Sequence, residues 1–191
     1  MKKFILTILI SAAIMFSMNA QATFGAKAGV NIANFAGDNW DSDAKTGIHF
    51  GVFVEFDLSD SMAFQPEVLF SAQGGKWEEM GMDDIHKLNY INIPLMLKFK
   101  ASEKFNIEAG PQIGFLASAK WDYDGDDTDI KDEFKSTDFG VNLGASVDIT
   151  DNLFVVARYT IGLSKVVEDD YLEDGLWDPT NSNLMFSLGY S

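Results

Sequence analysis

The 191-residue chain contains no cysteine, two histidines and four prolines. Without cysteine there are no disulfides, thiol nucleophiles or thiolate metal sites. Basic residues are scarce: 14 Lys and Arg stand against 29 Asp and Glu, a formal net charge of −15. Nucleic-acid phosphates need a surplus of Lys and Arg, so this balance argues against them as partners. No apolar run reaches the roughly 20 residues that a membrane-spanning helix requires. The one long greasy stretch, Phe4 to Phe16, follows the basic start Lys2-Lys3 and ends at Ala20-Gln21-Ala22. Small residues there occupy the positions a signal peptidase reads. Residues 1–22 are therefore expected to be a cleavable signal peptide, and residues 23–191 a single exported domain. Loss of Lys2 and Lys3 deepens the negative charge by two.

Alternation is what the chain has in abundance. Read in steps of two, Phe24, Ala26, Ala28, Val30 and Ile32 form one apolar row. Ile48 to Leu58, Phe64 to Ala72, Ile91 to Phe99 and Ile107 to Ala117 continue it. Phe139 to Ile149, Leu153 to Leu163 and Leu184 to Tyr190 complete it, and no position of this phase is charged. The opposite phase reads as polar and holds Gly25, Gly29, Gly47, Gly51, Gly110, Gly114, Gly140, Gly144, Gly162 and Gly189. A period of two marks strands whose faces meet different surroundings. Eight such segments predict an all-β fold, an eight-stranded antiparallel transmembrane β-barrel with its apolar phase toward lipid.

A soluble barrel with the alternation turned inside out fails on two counts. An eight-stranded lumen is just wide enough for side chains or one small ligand, and these apolar residues would overfill it. Glycine on an exposed strand face costs backbone entropy and packs against nothing. Inside a crowded barrel it leaves room for long neighbours.

Short connections at Ser59 to Ser61, Ala101 to Lys104 and Thr150 to Asn152 alternate with long ones. The long ones are Asn34 to Lys45, Gly74 to Lys87, Trp121 to Ser136 and Val166 to Thr180. Outer-membrane barrels have short periplasmic turns and longer extracellular loops, which places both chain ends on the periplasmic side. The long loops hold most of the acid, including Asp38, Asp41, Glu78, Asp84, Asp127, Asp132, Glu168 and Asp174. Such loops read as a solvated, self-repelling surface. They also offer clustered oxygens to a divalent cation: Asp122, Asp124, Asp126 and Glu133 fall at positions 1, 3, 5 and 12 of an EF-hand-like spacing. Asp127 stands where that motif needs glycine. Each long loop carries one tryptophan, Trp40, Trp77, Trp121 and Trp177. Trp77 and Trp121 suit an outer aromatic girdle; alternatively the four rings pack as a cap over the barrel mouth, or contact a ligand.

The inward phase carries both charge signs. Unpaired ions in a narrow lumen are costly, so Glu55, Glu67, Lys98, Lys100, Glu108, Asp148 and Arg158 are expected to form a closed polar network. A narrow ion path is the other reading. Around the Ala101–Lys104 turn, an antiparallel register sets Lys98 opposite Glu108 or its neighbour Asn106. Catalytic signals are thin. His49 points inward, and His86 lies beside Asp83 and Asp84, a pairing able to activate a water. No enzyme and no cofactor is expected.

Several strand sequences resemble a known family. AFQPEVLFSAQGGK (Ala63 to Lys76), LNYINIPLMLKFK (Leu88 to Lys100) and IEAGPQIGFLASAK (Ile107 to Lys120) are similar to successive strands of the PorT-like outer-membrane β-barrel family. DFGVNLGASVDI (Asp138 to Ile149) and ARYTIGLSKV (Ala157 to Val166) follow in the same order. The resemblance implies a small eight-stranded barrel that tolerates Pro66, Pro94 and Pro111 in its wall. It also implies a "porin" label or a link to protein secretion for some members. Asn92 stands where members often carry an acid.

The expected protein is an integral barrel in the outer membrane of a Gram-negative bacterium, exported through the periplasm. Its expected role is structural or surface-interacting, displayed by four acidic loops. A small porin-like pore or a secretion-associated barrel is the second reading, and a rim enzyme the third. Expected partners are outer-membrane lipid and lipopolysaccharide, with periplasmic chaperones and the barrel-assembly machinery needed for insertion of a monomer.

Overall fold

Strands that cross lipid cannot leave backbone donors or acceptors unmade, so alternating segments must close on one another. A computed structural model, which describes residues 22–37, 42–79, 82–123, 125–168 and 179–191, places them in a closed ring. The strands are β1 (Ala22–Ala36), β2 (Asp43–Ser59), β3 (Met62–Glu79), β4 (Met82–Lys100) and β5 (Phe105–Tyr123). They continue as β6 (Asp126–Asp129), β7 (Thr137–Asp148), β8 (Leu153–Gly162) and β9 (Thr180–Tyr190). Every pairing is antiparallel; β1 joins β9 and β4 joins β5, while the four-residue β6 is a return strand on β5. The eight longer strands are the expected barrel. Residues 1–21, Trp40, Asp124 and Trp177 lie outside the described residues.

The predicted lipid phase is exposed along the wall, from Phe24 and Val52 through Leu95 and Leu143 to Leu188. Two features of the wall differ from the sequence expectation. Strands β3, β4 and β5 have 18, 19 and 19 residues, well beyond the roughly 9–11 that span a bilayer. Much of the expected second loop, Gly74 to Lys87, is therefore a paired hairpin, with ladder partners up to Glu79 and Met82. Polar residues there continue the ladder because main-chain pairing needs no apolar side chain.

The alternation itself also breaks. Tyr90 pairs with Leu116 but Asn89 pairs with Ser118, leaving Ala117 as an extra residue in β5. Such a bulge shifts every later side chain to the other face. Ala119 is buried as a result, and Trp121, the partner of His86, follows it to the inner face. Pro94 and Pro111 fall where regular β4–β5 pairing is interrupted, between Pro94/Gln112 and Leu97/Ala109.

The inner phase is less polar than its glycines imply. Phe53, Leu69, Met96, Phe154, Val156 and Met185 are buried inside the barrel. Glycine makes this filling feasible: a Cβ on Gly25 would overlap the Phe53 ring, and one on Gly189 the Phe154 ring. The two rings meet edge to face at 5.6 Å.

If the outward phase faces a bilayer, the cost of a charge depends on depth. Leu95→Arg, mid-wall, should destabilise the folded barrel by about 2–4 kcal/mol, and Leu58→Arg, at the short-turn end of β2, by about 1 kcal/mol or less. Leu95 and Leu58 are similarly exposed, at 41% and 46%. Urea unfolding in lipid vesicles measures both, and equal costs would mean that the phase faces water.

Candidate functional site

The centre of the lumen is ionic. Arg158 on β8 donates from both terminal nitrogens to Glu67 on β3, at 2.9 and 3.0 Å, and from Nε to Glu108 on β5, at 2.7 Å. Lys27 Nζ on β1 lies 2.6 Å from the same Glu67. All four side chains are buried. Local sequence explains the reach. Gly144 is the ladder partner of both Glu108 and Arg158, so the guanidinium crosses β7 over a position without a side chain. Two acids and two bases make the group neutral, and the bidentate contact is the strong geometry for Arg with a carboxylate.

Below this cluster the lumen widens into a cup of about 460 Å³ at the end of the barrel that carries the short turns. Its inner end is the Phe53–Phe154 pair, with Lys98 Nζ 5.5 Å from the Phe154 centroid. Lys98 and Glu108 are ladder partners as expected, yet their charges are matched elsewhere. Lys98 reaches over the small Ala63 of β3 to Glu55 at 2.6 Å, and Glu108 is taken by Arg158. Lys100 pairs with Asp57 at 2.5 Å, and Asn106 donates to Asp148 at 3.2 Å. The seven expected network residues thus divide between two tiers, with Lys27 joining the upper one and Asp57 the lower.

Above the cluster lies a hydrogen-bonded polar belt with a single acid, Asp138. His49 is hydrogen-bonded at both ring nitrogens, to Asn31 and Ser187, each at 2.7 Å. Asn142 links Gln112 at 3.2 Å to Thr160 at 2.6 Å. Asp138, also buried, accepts from Ser164 at 2.7 Å and Asn181 at 2.9 Å.

The outer mouth is closed by an apolar cluster. Phe35, Leu88, Tyr90, Leu116 and Ala119 from the wall meet Ile130, Phe134, Val166 and Val167 from the connections. Trp77 stacks on Phe35 at 5.7 Å and meets the His86 ring edge-on at 4.9 Å. Trp77 is therefore part of a cap and not of a lipid-facing girdle. Trp121 donates from Nε1 to Asp84 at 2.6 Å on the same inner face, which takes it off the girdle as well. The sequence pointed to a cap only through its loop tryptophans; the other members are scattered singly through loops that otherwise read as soluble. The Asp124-Gly125 dipeptide, a strong short-range hairpin signal, was the available clue to the β5–β6 turn beneath it.

On the outward face of that hairpin, Lys87 lies 2.6 Å from Asp122 and 3.0 Å from Asp127, and Lys120 lies 3.1 Å from Asp127. Hydrogen bonds that it donates to Asp122 and Asp127 hold the Lys87 ammonium above its ordinary pKa. Hydrogen bonds from Lys87 and Lys120 hold Asp127 below the usual carboxylate range. Of the metal candidates, Asp122 faces Asp127 across the hairpin and Asp126 faces Tyr123, which puts Asp122 and Asp126 on opposite faces. Glu133 sits in the short 3₁₀ turn Lys131–Glu133. Among the described residues, no three His, Asp or Glu side chains are grouped to hold a metal ion. His86 Nε2 lies 3.6 Å from Asp84 Oδ1, the oxygen that already accepts from Trp121.

A closed ring of eight amphipathic strands around a packed lumen is an outer-membrane β-barrel. Residues 17–168 match the family described as outer membrane protein beta-barrel domain, and the chain belongs to it. Among solved structures it is similar to Neisserial surface protein A, at 16% identity and a TM-score of 0.61, covering 89% of this chain and 98% of that one. It is also similar to Ail, the attachment invasion locus protein of Yersinia pestis, at 15% identity and a TM-score of 0.51, covering 87% and 96%. At these identities the likeness is one of fold. No curated protein matches.

Removing one member of a buried ion cluster leaves its partners uncompensated. Arg158→Ala should destabilise the barrel by about 3–5 kcal/mol. Adding Glu67→Gln should recover part of that loss, since Lys27 then remains to balance Glu108. Unfolding in lipid vesicles tests both, and an additive further loss in the double variant would contradict the assignment.

Proposed function

We propose that the protein acts at the cell surface, as a structural or surface-interaction barrel whose working part is its acidic extracellular rim. The carrying observation is that the lumen is blocked twice, by the Arg158 cluster at mid-height and by the apolar cap at the outer mouth. A wall with no open path leaves function to the connections that it positions.

Ail has a structure in complex with the heparin analogue sucrose octasulfate. A sulfated ligand suits this chain poorly, because exposed Asp126, Asp127, Asp129 and Asp132 crowd its rim. A neutral or cationic surface ligand suits it better. PorT-like membership, export through the periplasm and cleavage after Ala22 belong to the same proposal. They are supported by the strand motifs and by the basic–apolar–small pattern of residues 1–22. So do lipopolysaccharide as the lipid around the belt and the barrel-assembly machinery as the route of insertion.

The test is electrical. Purified folded protein in planar bilayers is expected to show no steady conductance. Reproducible, ion-selective openings of the wild-type monomer would favour the pore reading instead.

A further inference from the structure

The outer cap is fastened by side chains more than by main chain. Two loop pieces form it, joined to each other by Lys135 N to Val166 O at 2.8 Å and Glu168 N to Glu133 O at 2.9 Å. Phe134 and Val167 bridge between them. Main-chain bonds to the rest of the barrel come at three margins, from Ile130 to Ala119, from Leu116 to Ser136 and from Val166 to Pro179, just before β9. Between those margins the cap rests on rings: Phe134 lies 6.5 Å from Phe35 and 6.2 Å, edge-on, from His86.

His86 is the titratable ring of this contact. As a neutral imidazole it packs like any aromatic side chain between Trp77 and Phe134. Among the described residues, its buried Nδ1 has no hydrogen-bond partner. Protonated, both nitrogens must donate. Nε2 then has Asp84 to turn to, but Nδ1 has no acceptor, and a charge in apolar surroundings is costly. Asp84 is the charged group facing His86. The neighbouring strands and the cap present Trp77, Trp121 and Phe134 to it, while Lys87 and Asp122 pair on the outward face.

We propose that the cap is an acid-released lid: protonation of His86 frees the Phe134 and Val166–Val167 segments from the mouth and opens the upper lumen to the outside. Burial pushes the closed-state ring below its ordinary 6.5, and Asp84 opposes this in part. The open state, with the ring hydrated, therefore binds the proton more readily. The lid is held fully above about pH 6.5, loosens as pH falls below it, and stops loosening once the closed-state pKa is passed. Each unit of depression makes opening about tenfold easier at acid pH. This goes beyond the surface role, which stands whether or not the lid moves.

Hydrogen exchange on the folded protein in detergent micelles tests the lid. Between about pH 7.5 and about pH 5.5, protection of the Ile130 and Val166 amides, which tie the lid to Ala119 and Pro179 of the barrel, should fall by about tenfold relative to unstructured peptide. Amides of β8 around Arg158 should keep theirs. His86→Gln should hold its lid protection at both pH values. An equal fall in that variant, or no fall in the wild type, overturns the proposal. Ring NMR of the wild type needs no variant: protonation of His86 should coincide with the loss of lid protection. Protonation near pH 6.5 with protection intact would overturn it equally.

Discussion

Lipid offers a strand only apolar contact, and that constraint sets the rest of the wall. Every main-chain donor and acceptor must be met by a neighbouring strand, so the ladder closes through β1–β9 and β4–β5. Closure around eight strands fixes a lumen just wide enough for side chains. The uncharged outward rows follow from the solvent outside, and the crowded interior follows from the closure. Where the wall leaves lipid, the solvent changes and the side chains exchange faces. Lys87, Lys120 and Asp122 turn outward, while Leu88, Tyr90, Leu116 and Ala119 fill the inside. The bulge at Ala117 makes that exchange on β5.

The narrow lumen also dictates how its charges are arranged. Arg158 is long enough to link β8 with β3 and β5, and it does so over Gly144. A neutral cluster of four ions, each within ion-pair reach of an opposite charge, is the form in which charge survives such burial. Glycine serves the same end near the short turns, where Gly25 and Gly189 leave space for Phe53 and Phe154. Gly144, Gly25 and Gly189 are thus the counterparts of three large inward side chains.

Much of this was legible in the sequence because a period of two is a long-range signal. The lipid rows, the strand number, the short periplasmic turns and the inclusion of Glu67, Glu108 and Arg158 in one network all follow from alternation. What alternation does not encode is which inward residues meet across the lumen. Lys98 and Glu108 are ladder partners, yet side-chain length and the small Ala63 send Lys98 to Glu55. The hairpin extension of β3 and β4 escaped notice because polar strands above a membrane look like loops. A cap over the mouth was open as one packing of the loop tryptophans, and Trp77 is in it; its other members were not legible, because a single-residue bulge is silent in a strict two-step reading and Phe134 and Val167 come from segments without periodicity.

The central claim is that the apolar side chains change faces at the membrane boundary, and the absence of cysteine makes it directly measurable. Single cysteines placed at Leu95, Lys87 and Tyr90 of β4, in protein folded into lipid vesicles, can be probed with a lipid-soluble and a water-soluble thiol reagent. The account predicts that position 95 reacts with the lipid-soluble reagent alone. Position 87 should react with the water-soluble one, and position 90 with neither while the cap is closed. Ready reaction of position 90 with the water-soluble reagent at neutral pH, or of position 87 with the lipid-soluble one, would contradict it.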